Sequence, residues 1–123
     1  MKIIIDTHIF LWLLNDPGRI GQRQIKHLED TENTVYLSSI SVAELMIKKS
    51  IEKLDFDFDV LESAKEMGLE ILAFDGMDAV KLGTLPLHHK DPFDRMIISQ
   101  ALSKNYHIIS DDKKFGFYDC KLL

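Results

Sequence analysis

Four acidic positions lie along this chain, each just after a short apolar run. Asp6 follows Ile3-Ile4-Ile5, and Glu44 comes shortly after Val35-Tyr36-Leu37. Asp94 sits inside His89-Lys90-Asp91-Pro92-Phe93-Asp94-Arg95, and Asp111-Asp112 follow Ile108-Ile109-Ser110. If the apolar runs are strands of one parallel sheet, their carboxyl ends share an edge, which is where such folds bind ligands. Carboxylates gathered there repel one another unless a cation offsets their charge. An all-oxygen set of this kind suits a hard divalent ion, Mg²⁺ or Mn²⁺.

Taken singly, each acid also has a structural explanation. Ser41-Val42-Ala43-Glu44 fits a capping box, with Glu44 reaching back to the Ser41 amide. Asp91-Pro92 makes a sound helix start, and Asp94 would then lie in a first turn that favours negative charge. Asp6 could cap a helix beginning at Thr7, and Asp111-Asp112 could fill a surface turn. The joint pattern weighs differently. Asp6 follows three isoleucines so closely that free solvation is excluded, and a buried unpaired carboxylate is costly.

The elements that must position these acids alternate short β-branched runs with helical patterns, which predicts α/β architecture around a mostly parallel sheet. Strands are expected at Lys2 to Ile5, Val35 to Leu37, Leu69 to Leu72 and His107 to Ile109, with an edge strand within Tyr118 to Lys121. Helices are expected over Thr7 to Leu14, Gly21 to Asp30, Ser41 to Ser50, Phe58 to Met67 and Met77 to Leu82. The best-defined helix starts at Asp91-Pro92, carries Phe93, Met96, Ile97 and Leu102 at helical spacing, and ends near Asn105. Neither repeat nor linker divides the chain, so residues 1–123 read as one domain.

Composition narrows the classes. Of the 123 residues, 46% are hydrophobic, enough for a core without staples. The single cysteine, Cys120, excludes an internal disulfide and a CxxC zinc pair, and a reducing, cytoplasmic compartment fits. Asp6 and His8 interrupt any signal-peptide core, and no apolar stretch approaches the ~20 residues that cross a bilayer. With 15 Lys+Arg against 20 Asp+Glu, the net charge of −5 speaks against non-specific clinging to nucleic acid through a broad basic face. It leaves room for an enzyme that meets phosphate through bound metal.

The residues resemble the PIN-domain ribonucleases, in particular the VapC-like toxins of bacterial type II toxin–antitoxin pairs. The resemblance rests on Ile5-Asp6-Thr7-His8-Ile9-Phe10-Leu11-Trp12 and Ser38-Ser39-Ile40-Ser41-Val42-Ala43-Glu44-Leu45. It continues through Leu85-Pro86-Leu87-His88-His89-Lys90-Asp91-Pro92-Phe93-Asp94-Arg95-Met96 and ends in Ile109-Ser110-Asp111-Asp112. These pieces cover the full length in the family's order, and HHxDPFDRM is the most specific of them.

The resemblance implies a three-layer α/β/α fold and a Mg²⁺- or Mn²⁺-dependent endoribonuclease that leaves 5′-phosphate and 3′-hydroxyl ends. Asp6, Glu44 and Asp94 match the family's three principal acids and Asp112 the fourth, with Asp111 as its neighbouring competitor. Thr7 and Ser41 would orient carboxylates or water, Asp91 would cap its helix, and Arg95 would contact phosphate or pair with a carboxylate. A cognate antitoxin and a homodimer are implied as partners, the surface for both being drawn from Phe10, Leu11, Trp12, Leu14 and the helices after Glu44.

Other features are read as structural. His88 and His89 are expected on a surface loop, since no zinc spacing completes them. His8 is expected to pack against its helix, and Lys48, Lys49 and Lys53 to form a solvated face. Competing functions fare worse. A receiver domain needs an acid pair after the first strand, whereas Asp6 stands alone. A haloacid-dehalogenase-type phosphatase needs a second Asp two positions after the first, where this chain has His8. A non-catalytic PIN-like binding domain is opposed by the intact acid set.

Overall fold

Isoleucine at positions 3, 4 and 5 sets the centre of the sheet, because period-two alternation sends neighbouring side chains to opposite faces. In the computed structural model, which describes residues 1–123, strand β1 spans Lys2–Ile5 and all three isoleucines are fully buried. It pairs in parallel with β2 (Thr34–Ser38) on one side and β4 (His107–Ile109) on the other. Strands β3 (Glu70–Leu72) and β5 (Lys121–Leu122) complete the sheet in the order β3-β2-β1-β4-β5, and every pairing is parallel. The fifth strand shares only Lys121 with the segment expected to form an edge strand and runs on to Leu122.

Burial on both faces makes this a three-layer α/β/α fold. Ile3, Ile5, Val35, Leu37 and Ile109 face one layer, formed by α1 (Thr7–Asn15), α2 (Gln22–Glu29), α3 (Ser39–Ser50) and α4 (Val60–Glu66). Ile4 and Ile108 face the other, where α6 (Pro92–Lys104) supplies Ile97, Ile98 and Ala101, and Phe115 and Tyr118 close the cluster. The short α5 (Gly76–Lys81) packs on α6. Its buried Asp78 completes a capping box with Asp75, and Lys104 of α6 reaches both carboxylates. No helix is long and apolar enough to cross a membrane.

Helix ends follow local chemistry. Asn105 closes α6 in the left-handed region (φ 60°), which asparagine tolerates. Gly68 turns the chain from α4 into β3 at φ +75°, where a Cβ would be strained. One boundary differs from expectation: α3 begins at Ser39, capped by the Ser38 hydroxyl accepting from the Ile40 amide. Ser41 therefore lies inside the helix, and the Ser41–Glu44 capping box does not form.

The strand order places a topological switch at β1. From β1 the chain moves outward to β2 and β3, then returns to the opposite side for β4. Asp6 leaves β1 at this switch, its amide donating to the Ile109 carbonyl at the end of β4 (3.1 Å). The crevice beside such a switch is where open α/β sheets bind ligands.

Candidate metal centre

Asp6 is the residue nearest the switch and is almost wholly buried, 2% exposed. One of its oxygens accepts from the Ile9 amide (2.8 Å), capping α1; the other accepts from Ser110 Oγ (2.5 Å). Capping and site formation thus use different oxygens of one carboxylate. Burial pushes its carboxyl above the usual carboxylate range, while the bonds from Ser110 and Ile9 pull it back.

Glu44 comes in from α3. Thr7 Oγ1, at the first turn of α1, donates to Glu44 Oε1 (2.7 Å) and lies 2.9 Å from Ser41 Oγ. All three side chains are buried, so these bonds tie α1 to α3 beneath the site. Glu44 Oε2 accepts from Lys48 Nζ at 2.6 Å, one helical turn on. That bond is the main reason the Lys48 ammonium holds its proton more tightly than usual. Lys48 therefore belongs to the site rather than to a purely solvated face.

Asp94 stands in the first turn of α6, above the cap built by Asp91. Asp91 Oδ1 accepts from the Phe93 and Asp94 amides (2.9 and 3.2 Å), and Pro92 occupies the first helical position. The Asp94 carboxyl is pushed up to about 7. Burial is the largest cause, followed by the charges of Asp91 and Asp6, with a smaller rise from Glu44. Asp112 arrives from the turn after β4. Its amide donates to Ser110 Oγ (3.0 Å), and its Oδ1 accepts from the Lys114 amide (2.9 Å). Ser110 thus joins Asp6 to Asp112. Asp111 points to solvent and lines a cleft of about 180 Å³ with Asp6, His8, Trp12 and Asp112.

Several residues sit differently from expectation. His89 is buried, 6% exposed, with Nε2 lying 3.0 Å from Asp94 Oδ2 and 2.9 Å from Asp112 Oδ2; only His88 stays on the surface. Arg95 pairs with no carboxylate: its guanidinium donates to the carbonyls of Leu85, Pro86 and His89 and to Tyr118 Oη. His8 is exposed beside the acids instead of packed along α1. Phe10 is fully buried in the molecule's own core, and Trp12 lies under the Arg19 guanidinium (4.6 Å). Phe10 is therefore no part of an outer surface. Sequence reasoning also gave no role to Ser110, although a hydroxyl between a buried strand and an acid pair is a readable signal.

The donor set fits a hard cation. Glu44 has Lys48, but Asp6, Asp94 and Asp112 have no lysine or arginine within 4.0 Å. The ligating atoms of His89, Asp94 and Asp112 all lie within 4.8 Å of one another. At such a spacing and an effective dielectric near 20, two carboxylates repel by about 3 kcal/mol. One neutral hydrogen bond, worth ~1 kcal/mol net, does not offset that. Protonation of Asp94 does so without metal, and a divalent ion does so with it.

The PIN domain family model matches residues 3–119. This chain is a PIN domain. Solved structures agree in fold over its whole length. VapBC2 from Rickettsia felis, bound to a DNA fragment from its promoter, superposes with a TM-score of 0.77 at 21% identity, covering 100% of this chain and 98% of that one. DNA-bound VapBC from Salmonella typhimurium gives 0.72 at 18% identity, covering 100% and 97%. VapBC-5 from Mycobacterium tuberculosis, described as a member of the VapBC family of toxin–antitoxin systems, gives 0.57 at 18%, covering 99% and 95%. No curated protein matches this chain in sequence. The PIN assignment accords with the site's position: the matched segment runs from β1, ahead of Asp6, past Asp112 to the end of the second core layer.

Proposed function

We propose that this PIN domain, as a single unit over residues 1–123, is a Mg²⁺- or Mn²⁺-dependent endoribonuclease and the toxin of a toxin–antitoxin pair. The observation that carries the reading is the set of buried acids short of positive charge, with Asp94 pushed up to about 7. Asp6, Glu44, Asp94 and Asp112 would hold the cation, with Asp112 rather than the solvent-facing Asp111 as the fourth member. A bound divalent ion lowers the pKa of a water and offsets charge building on phosphorus. Asp94 would serve as a ligand in its deprotonated form. Thr7 and Ser41 keep Glu44 oriented, and Ser110 does the same for Asp6. No side chain serves as a covalent nucleophile.

The partner reading draws on the VapBC likenesses: a cognate antitoxin covers the acidic site, and two copies of the toxin associate. Its compartment is the cytoplasm, where the RNA lies. The test is cleavage of RNA by purified protein, with 5′-phosphate and 3′-hydroxyl ends, in Mg²⁺ or Mn²⁺ and not in EDTA. Cleavage persisting in chelator, with metal removal verified, overturns the metal mechanism. Co-expression with the adjacent small gene is expected to yield a complex with suppressed ribonuclease activity; a monomer that binds no neighbouring gene product overturns the toxin role.

A further inference from the structure

We infer that His89 is a positioning residue, a neutral hydrogen-bond donor that fixes Asp112 against Asp94 at a spacing one cation can span. The inference rests on the reading of these acids as cation ligands. The protonation pattern follows from the ring's two neighbours. Nδ1 accepts from the Asp91 amide at 3.2 Å, so that nitrogen carries no proton. The ring proton is therefore on Nε2, which donates to Asp112 Oδ2 (2.9 Å) and lies 3.0 Å from Asp94 Oδ2.

The residue is held through both its backbone and its ring. The His89 amide donates to Tyr118 Oη (2.9 Å), and its carbonyl accepts from Arg95 Nη1 (3.2 Å). Phe115 packs edge-on against the imidazole, centroids 6.1 Å apart. The same Tyr118 hydroxyl accepts from the His88 amide and donates to the Pro86 carbonyl. A loop with no regular structure thereby presents one donor in one direction, and the energy of that arrangement comes from the second core layer.

What the donor decides is which oxygens remain available. Both oxygens of Asp6 and of Glu44 accept hydrogen bonds within the protein, as do both of Asp112. Asp94 alone among the four acids accepts none at either oxygen, although His89 Nε2 lies 3.0 Å from its Oδ2. With the ring's one donor given to Asp112, Asp94 is the carboxylate left to lead a cation in. Asp94 and Asp112 stand on different elements, α6 and the turn after β4, and this imidazole is the one polar group that touches both carboxylates. A ligand role for His89 differs in a checkable way. It requires a lone pair on Nε2, hence a proton on Nδ1 and loss of the Asp91 bond.

Two measurements test this on the full chain. Long-range ¹H–¹⁵N spectra of the metal-free protein should show His89 protonated on Nε2 alone, unchanged on Mg²⁺ saturation, with that proton protected from exchange and exposed in Asp112→Ala. A ring protonated on Nδ1, before or after Mg²⁺, overturns the inference. Calorimetric Mn²⁺ binding should weaken roughly tenfold or more in His89→Ala, the range typical of groups that orient metal ligands, and recover most of the way in His89→Gln, whose amide can donate. Unchanged Mn²⁺ affinity in His89→Ala overturns it too. If His89→Ala does not fold, the Gln variant and the tautomer decide. Wild-type protein that binds neither ion ends the cation reading alone, and the metal-free tautomer and exchange protection then judge the clamp.

Discussion

Asp94 makes the metal-free protein lose stability as pH rises, because its folded-state pKa lies well above its ordinary 3.8. The folded state binds the proton more tightly than the unfolded chain does. The stabilisation is therefore complete below about 4 and is lost as pH climbs through about 7. Buried Asp6, raised in the same direction, adds to the trend. Chemical denaturation in EDTA should show stability falling from pH 5 to pH 8 by roughly 1–4 kcal/mol. Asp94→Asn should flatten that slope, raise metal-free stability at pH 8 and abolish cleavage. A steeper slope in the variant, or an active variant, contradicts the assignment of Asp94.

At the scale of elements, the loop between α5 and α6 depends on one side chain thirty residues downstream. Tyr118 Oη accepts from the amides of His88 and His89, meets Arg95, and donates to Pro86. Tyr118→Phe removes four interactions while leaving the ring in the core. Stranding the buried His89 amide alone costs about 1–3 kcal/mol. Urea denaturation should show a loss of ~2–4 kcal/mol, and cation affinity should fall as His89 loses its fixed position. The link between α1 and α3 predicts a similar outcome. Thr7→Val keeps the volume but leaves Glu44 Oε1 without its donor, and thermal melting should register ~1–3 kcal/mol of destabilisation in EDTA. A Thr7→Val protein as stable as wild type would show that Glu44 finds another donor.

For the molecule as a whole, a net charge of −5 speaks against a broad basic surface for nucleic acid, so the proposed function predicts that RNA binding depends on a bound cation. Fluorescence anisotropy with labelled single-stranded RNA should detect little binding in EDTA and clear binding with Ca²⁺, an ion that occupies oxygen sites. The dependence on monovalent salt should be shallow, reporting few displaced counterions. Strong binding in EDTA with a steep salt slope would place recognition on lysines and arginines instead.

Much of this was legible in one dimension. Alternation through Ile3, Ile4 and Ile5 identified a strand buried on both faces, and Asp91-Pro92 marked a helix start whose first turn carries Asp94. Acids after apolar runs pointed to one rim because parallel strands share their carboxyl ends, a rule that needs no coordinates. The start of α3 was misread because Ser38, Ser39 and Ser41 are all able caps, and the choice fell to Thr7, whose hydroxyl meets Ser41 inside the fold while Ser38 caps the helix. His89 was misread for a related reason. Its ring packs against Phe115 and its amide is held by Tyr118, both from the far end of the chain. Local patterns determine what neighbours along the chain impose, namely period, caps and strand ends. Which carboxylate faces which donor is set by packing between layers, so only the tertiary structure decides it.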